Sequence, residues 1–151
     1  MDRISSQARS ANMARIRSRG NRTTERRLRA YLVCSGITGW KLHPAQVSGQ
    51  PDFIFPKLSL ALFVDGCFWH VCPKCGHVPK SNSAYWRGKL RRNISRDRKV
   101  TARLIREGWR VIRIWEHDVK VSPRSVVRRI IRCLGRDKQG QRQTGTETTS
   151  S

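Results

Sequence analysis

Three cysteines in the pattern Cys-x4-Cys-x2-Cys constrain the fold of this chain more than any other feature. They are Cys67, Cys72 and Cys75, and the closer pair is followed by Gly76. A Cys-x2-Cys segment of this kind forms a tight turn that directs two thiolates at one point, as in a zinc knuckle. The pair alone would equally suit a redox site. The third cysteine favours a metal site.

A tetrahedral metal site with three sulfur ligands needs a fourth ligand. His77 lies two residues beyond the last cysteine, and His117 lies far downstream, after Trp115-Glu116. Either imidazole could complete a Cys3His set, and the spacing alone does not choose between them. Nothing in the spacing leaves an open coordination position, so the sequence predicts a structural rather than a catalytic zinc ion.

The net charge limits the kind of partner this chain can have. Its 151 residues include 32 lysines and arginines against 10 acids, which gives a formal net charge of +22. Basic side chains set against phosphates release condensed counterions, so nucleic acid is the leading partner. A solvated basic surface and an anionic membrane are the alternatives, but arginine dominates the charge and no amphipathic anchor helix is evident.

The cysteine count and the lack of long apolar segments bear on the compartment. Of five cysteines, three fit the metal site, which leaves Cys34 and Cys133 as small hydrophobic residues and indicates a reducing environment. The N-terminal residues are basic and lack the apolar core of a signal peptide, and no apolar run is long enough to cross a membrane. We expect a cytoplasmic protein with no membrane partner, and we expect it to be a monomer.

Composition divides the chain into three parts. Residues 1–20 are rich in arginine and poor in apolar side chains, which predicts a basic arm that orders on a partner. Residues 21–135 carry the apolar periodicity of one folded domain. Residues 136–151 contain almost no apolar side chains and predict a disordered tail.

The domain begins with a helix in the sequence prediction. Thr23 and Thr24 can cap it, it ends near Ser35, and Leu28 and Leu32 face the core. Glu25 falls on the same face as these leucines, which is unusual for a carboxylate. The plainer explanation is that an acid favours the positive N-terminal end of a helix.

The remaining periodicity predicts an α/β fold with a mixed sheet flanked by helices. A hairpin over residues 52–55 and 60–65 has a second strand that is continuously apolar over residues 60–64, as expected for a central strand. A helix over 83–107, a strand over 109–115 and a helix over 123–134 follow. The inward stripe of the middle helix consists of Trp86, Leu90, Ile94, Thr101, Leu104 and Ile105.

The hairpin brings polar residues together at one end. Antiparallel pairing across a short turn should set Asp52 beside the backbone of Val64 and the side chains of Asp65 and His70. Carboxylates, a backbone carbonyl, water and phosphate are the oxygen ligands that Mg2+ takes, and a nearby imidazole can activate water. This pattern predicts metal-assisted phosphodiester hydrolysis. The alternative for Asp52, which follows Pro51, is a turn residue bonded to its own backbone.

Several motifs together carry a resemblance to a known family. Phe-Val-Asp-Gly-Cys-Phe-Trp-His at 63–70, preceded by Gly-Gln-Pro-Asp at 49–52 and followed by Trp-Arg-Val-Ile-Arg-Ile-Trp-Glu at 109–116, resembles the very short patch repair (Vsr) DNA mismatch endonucleases. The resemblance runs from about Ser10 to Cys133. It implies a restriction-endonuclease-like core with a structural zinc site, and a strand-specific, metal-dependent nickase. Such an enzyme cuts double-stranded DNA 5′ of the mispaired T in T:G mismatches left by deamination of 5-methylcytosine; help from a MutL-type repair protein stays open.

The resemblance also implies a role for individual residues. Asp52 matches the metal-binding aspartate, Val64 the position whose carbonyl binds the catalytic Mg2+, and His70 the catalytic histidine. Glu25 matches an acidic residue near the metal-bound waters. The chain lacks the Glu-x-Lys of the wider superfamily, so catalysis should depend more heavily on Asp52 and His70. Asp65 stands where some members have a second histidine; it is a candidate catalytic residue that could be a metal ligand, a partner for His70 or a bystander.

The same resemblance assigns DNA contacts and zinc ligands. Phe68, Trp69 and Trp86 match aromatic residues that wedge into DNA beside the mismatch, where they replace stacking at a step that is already weakened. Cys67, Cys72, Cys75 and His117 match the structural zinc ligands, with His117 where many members have cysteine.

Two other classes of protein compete with the nickase. A non-catalytic zinc-containing DNA-binding protein would explain the charge, the cysteines and the aromatic residues, but gives no reason for Asp52, Glu25 and His70 to converge. An RNA-binding or ribosome-associated basic protein would explain the charge alone.

Overall fold

The computed structural model describes residues 22–135. The predicted basic arm (residues 1–20) and the predicted tail (residues 136–151) lie outside the described residues. Helix α1 is described over residues 22–34. The later elements are β1 (Lys41–Leu42), β2 (Phe53–Phe55), a 3-10 turn (Pro56–Leu58), β3 (Leu60–Asp65), α2 (Ser83–Arg106), β4 (Arg110–Trp115), α3 (Glu116–Val121) and α4 (Pro123–Gly135).

The four strands form one mixed sheet in the order β1-β2-β3-β4. Strands β1, β2 and β3 pair antiparallel, with Phe53 opposite Leu62 in the predicted hairpin. Strand β4 pairs parallel with β3, so that Asp65 lies opposite Trp115 and the two strands end together. The helix α2 between them supplies the crossover that parallel pairing requires. The predictions of a mixed sheet and of an inner position for β3 are confirmed.

Side chains of β3 alternate between two core clusters, one on each face of the sheet. Leu60, Leu62 and Val64 face α1 and α4, where Leu28 and Leu32 are fully buried. Ala61 and Phe63 face the other cluster, which includes Leu104 of α2. Burial on both faces explains why this strand is apolar throughout.

Three local predictions were wrong or incomplete. Thr23 and Thr24 lie within α1 and do not precede it as caps. Ile105 is 59% exposed because Leu104 takes the inward position, and neighbouring residues on a helix point about 100° apart. The short strand β1 and the short helix α3 were not predicted, since two and six residues are too few to show a period.

Within residues 22–135, no helix is both long enough and apolar enough to span a membrane.

Candidate active site and metal centre

The parallel pairing of β3 and β4 builds the cysteine and histidine cluster. Cys67 comes two residues after the end of β3, and His117 comes two residues after the end of β4. Because the two strands end side by side, these residues meet at one edge of the sheet. The loop after β3 then turns back, with the Gly76 N–H donating to the Cys72 carbonyl at 2.8 Å. A side chain at Gly76 would collide with the backbone of Cys72, which is why the turn needs glycine.

His117 is the histidine that the fold brings to the three sulfurs. Its Nδ1 lies 3.3 Å from Sγ of Cys67, 3.3 Å from Sγ of Cys72 and 3.4 Å from Sγ of Cys75. The ring of His77 instead lies 5.8 Å from the ring of Phe68. The four ligand atoms lie within 4.8 Å of one another and could hold a metal ion. The cluster of Cys67, Cys72, Cys75 and His117 is called the metal centre below.

The surroundings of this metal centre also favour a cation. Burial, and after it a hydrogen bond with the Cys75 side chain, raises the pKa of the Cys67 thiol to about 12. A coordinated metal reverses this effect, because it binds the thiolate. Behind the ligands, Oδ1 of Asp118 lies 2.9 Å from Nε2 of His117. A carboxylate in that position can orient the imidazole of a metal-ligating histidine.

Replacing each histidine by alanine should identify the fourth ligand. We expect His117→Ala to lose bound metal and to melt at a lower temperature, because a structural metal contributes directly to folding. His77→Ala is the matched control and should keep its metal. Elemental analysis of both purified variants decides the matter, and metal retained in His117→Ala but lost in His77→Ala would reverse the assignment.

A second cluster, the carboxylate centre, consists of Glu25, His43 and Asp52. The backbone positions all three. Pairing of β1 with β2 continues to the His43 N–H, which donates to the Asp52 carbonyl at 3.2 Å. Glu25 reaches in from α1, and its Oε2 lies 3.1 Å from Nε2 of His43. The inward orientation of Glu25 therefore places its carboxylate beside Asp52 and His43. A favourable charge at the helix end does not by itself account for this position.

Asp52 is held against the central strand. The Val64 N–H donates to its Oδ2 at 2.7 Å, so the predicted proximity of Asp52 to the backbone of Val64 is observed. The preceding loop packs tightly, because a side chain at Gly49 would come within 2.2 Å of Val100 on α2. Gly49 also has a φ of +75°, which glycine adopts without strain.

The electrostatics of the carboxylate centre favour a bound cation. Burial is the main cause that raises the pKa of Asp52 to about 7; the Val64 N–H opposes this rise, and the charge of Glu25 adds to it. Burial also raises the pKa of Glu25. Two neighbouring carboxylates in a desolvated site repel each other, and a hard divalent cation with oxygen ligands removes that repulsion. The donor set of this chain therefore fits such an ion.

His70 belongs to a neighbouring network on the α2 side of the sheet. Its Nδ1 contacts Oδ2 of Asp97, which lies on α2, and its Nε2 is 3.8 Å from Oδ1 of Asp65. Arg113 of β4 donates to both oxygens of Asp65 at 2.9 Å. Asp65, for which three roles were open, is thus a partner of Arg113 that also flanks His70.

Val64 and Asp65 connect the carboxylate centre to this network. They are consecutive residues at the end of β3. The Val64 N–H donates a hydrogen bond to Asp52, and the Asp65 carboxylate accepts one from Arg113. Asp52 was also expected beside the side chains of Asp65 and His70. The structure instead groups Asp52 with Glu25 and His43.

Three aromatic residues singled out in the sequence form one cluster beside the metal centre. The ring centroids of Phe68 and Trp69 are 5.0 Å apart, those of Phe68 and Trp86 5.5 Å, and those of Trp69 and Trp86 6.1 Å. The ammonium of Lys89 lies 5.3 Å from the Trp69 ring and 5.5 Å from the Trp86 ring. Aromatic rings next to a cation suit contact with nucleic-acid bases and phosphates.

The three rings differ in exposure. Trp69 is only 8% exposed, and its carbonyl accepts a bond from the buried Asn93 side chain at 3.3 Å. Phe68 and Trp86 are half-buried and form the outer part of the cluster. Any surface contact of this cluster therefore falls first on Phe68 and Trp86, with Trp69 packed beneath them.

Sequence reasoning missed His43, Asp97 and Arg113. Asp97 could have been recognised from the sequence, because it fills the position between Ile94 and Thr101 in the inward stripe of α2. An acid at an inward position is the same signal that pointed to Glu25. His43 and Arg113 left no comparable pattern.

Comparisons with known proteins point to one family. A family model described as DNA mismatch endonuclease Vsr matches residues 1–75. The nicking enzyme V.XorIIP of Xanthomonas oryzae pv. oryzae is 40% identical over 120 residues, covering 78% of this chain and 86% of that protein. The DNA mismatch endonuclease Vsr of Escherichia coli is 36% identical over 110 residues, covering 72% of this chain and 69% of that protein.

A third relative, the type II nicking enzyme V.NaeI of Lentzea aerocolonigenes, is 53% identical over 72 residues. That match covers 48% of this chain and 43% of the relative. The family match and these relatives show that the chain is a DNA endonuclease. The chain belongs to the Vsr family of DNA mismatch endonucleases.

Proposed function

We propose that this chain nicks double-stranded DNA on the 5′ side of the mispaired T in T:G mismatches that arise from deamination of 5-methylcytosine. One observation carries the proposal: consecutive residues at the end of β3 contact both Asp52 of the carboxylate centre and the network around His70. A metal-binding carboxylate and a histidine at one strand end suit phosphodiester hydrolysis.

The carboxylate centre is where Mg2+ would bind. Asp52 and Glu25 supply carboxylate oxygens, and Val64 is the proposed source of a backbone carbonyl. The cation would stabilise negative charge on the phosphoryl oxygens during hydrolysis. Asp52 and Glu25 hold their places without the ion through the Val64 N–H and His43.

His70 is the proposed general base. Asp97 holds its Nδ1, which leaves Nε2 to accept a proton from water as that water attacks the phosphorus. A carboxylate on one imidazole nitrogen fixes the orientation of the ring and stabilises the imidazolium that forms. The P–O bond to the leaving sugar oxygen then breaks, and that oxygen takes up a proton from solvent to become a hydroxyl.

Zinc is the proposed occupant of the metal centre formed by Cys67, Cys72, Cys75 and His117. A tetrahedral zinc ion with ligands at about 2.1 and 2.3 Å separates its nitrogen and sulfur ligands by about 3.5 Å. The observed separations of 3.3 to 3.4 Å lie close to that value. The four ligands close the site, so its role is to fix the loop that carries Phe68, Trp69 and His70.

The aromatic cluster is the proposed wedge that selects the mismatch. Phe68→Ala should reduce the preference for T:G over T:A about tenfold, because one base stack contributes about 1–3 kcal/mol. Phe68→Leu keeps an apolar wedge and should retain most of the preference. Trp69→Ala should instead lose stability, since truncating a buried tryptophan costs about 3–5 kcal/mol.

Nicking rates and melting temperatures of the three variants separate these roles. Undiminished mismatch preference in a folded, metal-replete Phe68→Ala protein would contradict the wedge.

A mismatch panel tests the proposed substrate. Purified protein with Mg2+ should nick a T:G duplex and spare the matched T:A and C:G duplexes, and varied flanks should reveal the recognition sequence. Tight binding to every duplex with no cleavage would favour the alternative, a non-catalytic zinc-containing DNA-binding protein. Repeating the panel with a MutL-type protein added would show whether such a partner assists.

A further inference from the structure

Arg113 joins the two carboxylates that flank His70. Its Nη1 lies 2.9 Å from each oxygen of Asp65, and its Nη2 lies 3.6 Å from Oδ1 of Asp97. His70 closes the ring, with Nδ1 on Asp97 and Nε2 at 3.8 Å from Asp65. The guanidinium therefore contacts both carboxylates: it shares Oδ1 of Asp65 with the imidazole and contacts the oxygen of Asp97 that the imidazole does not.

Asp65 is a buried carboxylate, and Arg113 is the cation that pairs with it. The Asp65 side chain is 7% exposed, and a buried carboxylate needs a cationic partner. Within residues 22–135, the guanidinium of Arg113 and the imidazole of His70 are the basic groups that lie within ion-pair distance of it. A carboxylate that turned to His70 would occupy Nε2, the nitrogen that the water needs.

We propose that Arg113 is a positioning residue that holds Asp65 away from His70, so that Nε2 stays available to the attacking water. The inference rests on the proposed function, since it assigns His70 as the base.

The guanidinium is itself fixed. It lies 4.5 Å from the centroid of the Phe63 ring, and its Nε donates to Oγ1 of Thr101 at 3.3 Å. A planar guanidinium can stack on a ring and hold several acceptors at once through different nitrogens, which an ammonium does not do. Here Nη1 holds Asp65 while Nε holds Thr101. The arrangement explains why an arginine occupies a sheet position that faces α2 and the core residue Phe63.

Removing Arg113 also changes the charge beside the substrate. Asp65 would then carry an uncompensated negative charge next to the groove of about 410 Å³ that His70, Asp97 and Arg98 help to line. A phosphate approaching that groove would be repelled. Both effects act through Asp65, so both should disappear when Asp65 is made neutral.

The test is a double-variant cycle on nicking of a mismatched duplex. Arg113→Leu should lower kcat about 100-fold, the low end of what a positioned general base contributes. Adding Asp65→Asn to Arg113→Leu should restore kcat to within about tenfold of the wild type, because the two changes act on one contact. Arg103→Leu is the matched control: it removes one positive charge from an exposed ion pair of α2 and should leave kcat unchanged.

Two further measurements distinguish a loss of positioning from a loss of folding. Arg113→Lys keeps a positive charge without the planar set of N–H donors and should fold, with kcat lowered about tenfold and KM little changed. A crystal structure of Arg113→Leu should show the Asp65 carboxylate within hydrogen-bond distance of Nε2 of His70.

The outcomes separate the inference from the proposed function. If the wild type nicks no duplex, the proposed function fails. If the wild type nicks but folded Arg113→Lys and Arg113→Leu keep full kcat, or the double variant stays as inactive as Arg113→Leu, the positioning role is wrong.

Discussion

Asp52→Ala is expected to lower the nicking rate by about three orders of magnitude while leaving affinity for T:G duplexes within a few fold. Loss of a metal ligand removes several kcal/mol of transition-state stabilisation, and about 1.4 kcal/mol corresponds to a factor of ten. Asp52 contacts Val64 and Glu25, not the aromatic cluster, so binding should persist. Parallel loss of binding and nicking would indicate a structural aspartate.

Asp52→Asn adds a stability readout to the same prediction. The folded protein raises the pKa of Asp52 from 3.8 to about 7, mainly through burial. A raised pKa means that its stabilising contribution is complete below pH 3.8 and is lost as pH rises through about 7. In metal-free buffer at pH 8, neutral asparagine should therefore melt at or above the wild type. A marked drop in melting temperature would contradict this electrostatic account.

Cys72→Ala is expected to release about one equivalent of zinc and to lower the melting temperature by more than about 10 °C. Cys72 is 2% exposed and lies within 3.3 Å of the His117 imidazole, so its loss opens the metal centre from the inside. The proposed role of the zinc ion is to fix the loop after β3, so nicking should fall with the zinc content.

Cys34→Ala provides the control for that variant. Cys34 is an exposed cysteine outside the metal centre, and its replacement should change neither zinc content nor melting temperature. If the wild-type protein binds no zinc by elemental analysis, the zinc assignment is wrong.

The large elements of this fold could be predicted because their physical signals are long. Strand β3 is buried on both faces and is apolar at every position but the last, and α2 carries an inward stripe over 24 residues. The metal centre was also visible in part, because three of its ligands fall within nine residues. The choice of His117 over His77 needed the parallel register of β3 and β4, which no local pattern shows.

The network around His70 could not be predicted from local sequence patterns. Asp97 and Arg113 come from a helix and a strand that meet only through the packing of α2 on the sheet. His43 reaches Glu25 because β1 pairs with β2, and a two-residue strand has no periodicity to predict. A site built from several distant segments depends on tertiary contacts, so the sequence identified His70 and Glu25 but not all of the residues that contact them here.

Mapping the nick on a strand-labelled T:G duplex tests the central claim most directly. With Mg2+ and zinc-replete protein, the T strand should be cut once, 5′ of the mispaired T, while the G strand and a matched T:A duplex stay intact and chelation of Mg2+ stops the reaction. Equal cutting of both strands, equal cutting of the T:A duplex, or no cutting by folded, DNA-binding protein would contradict the account.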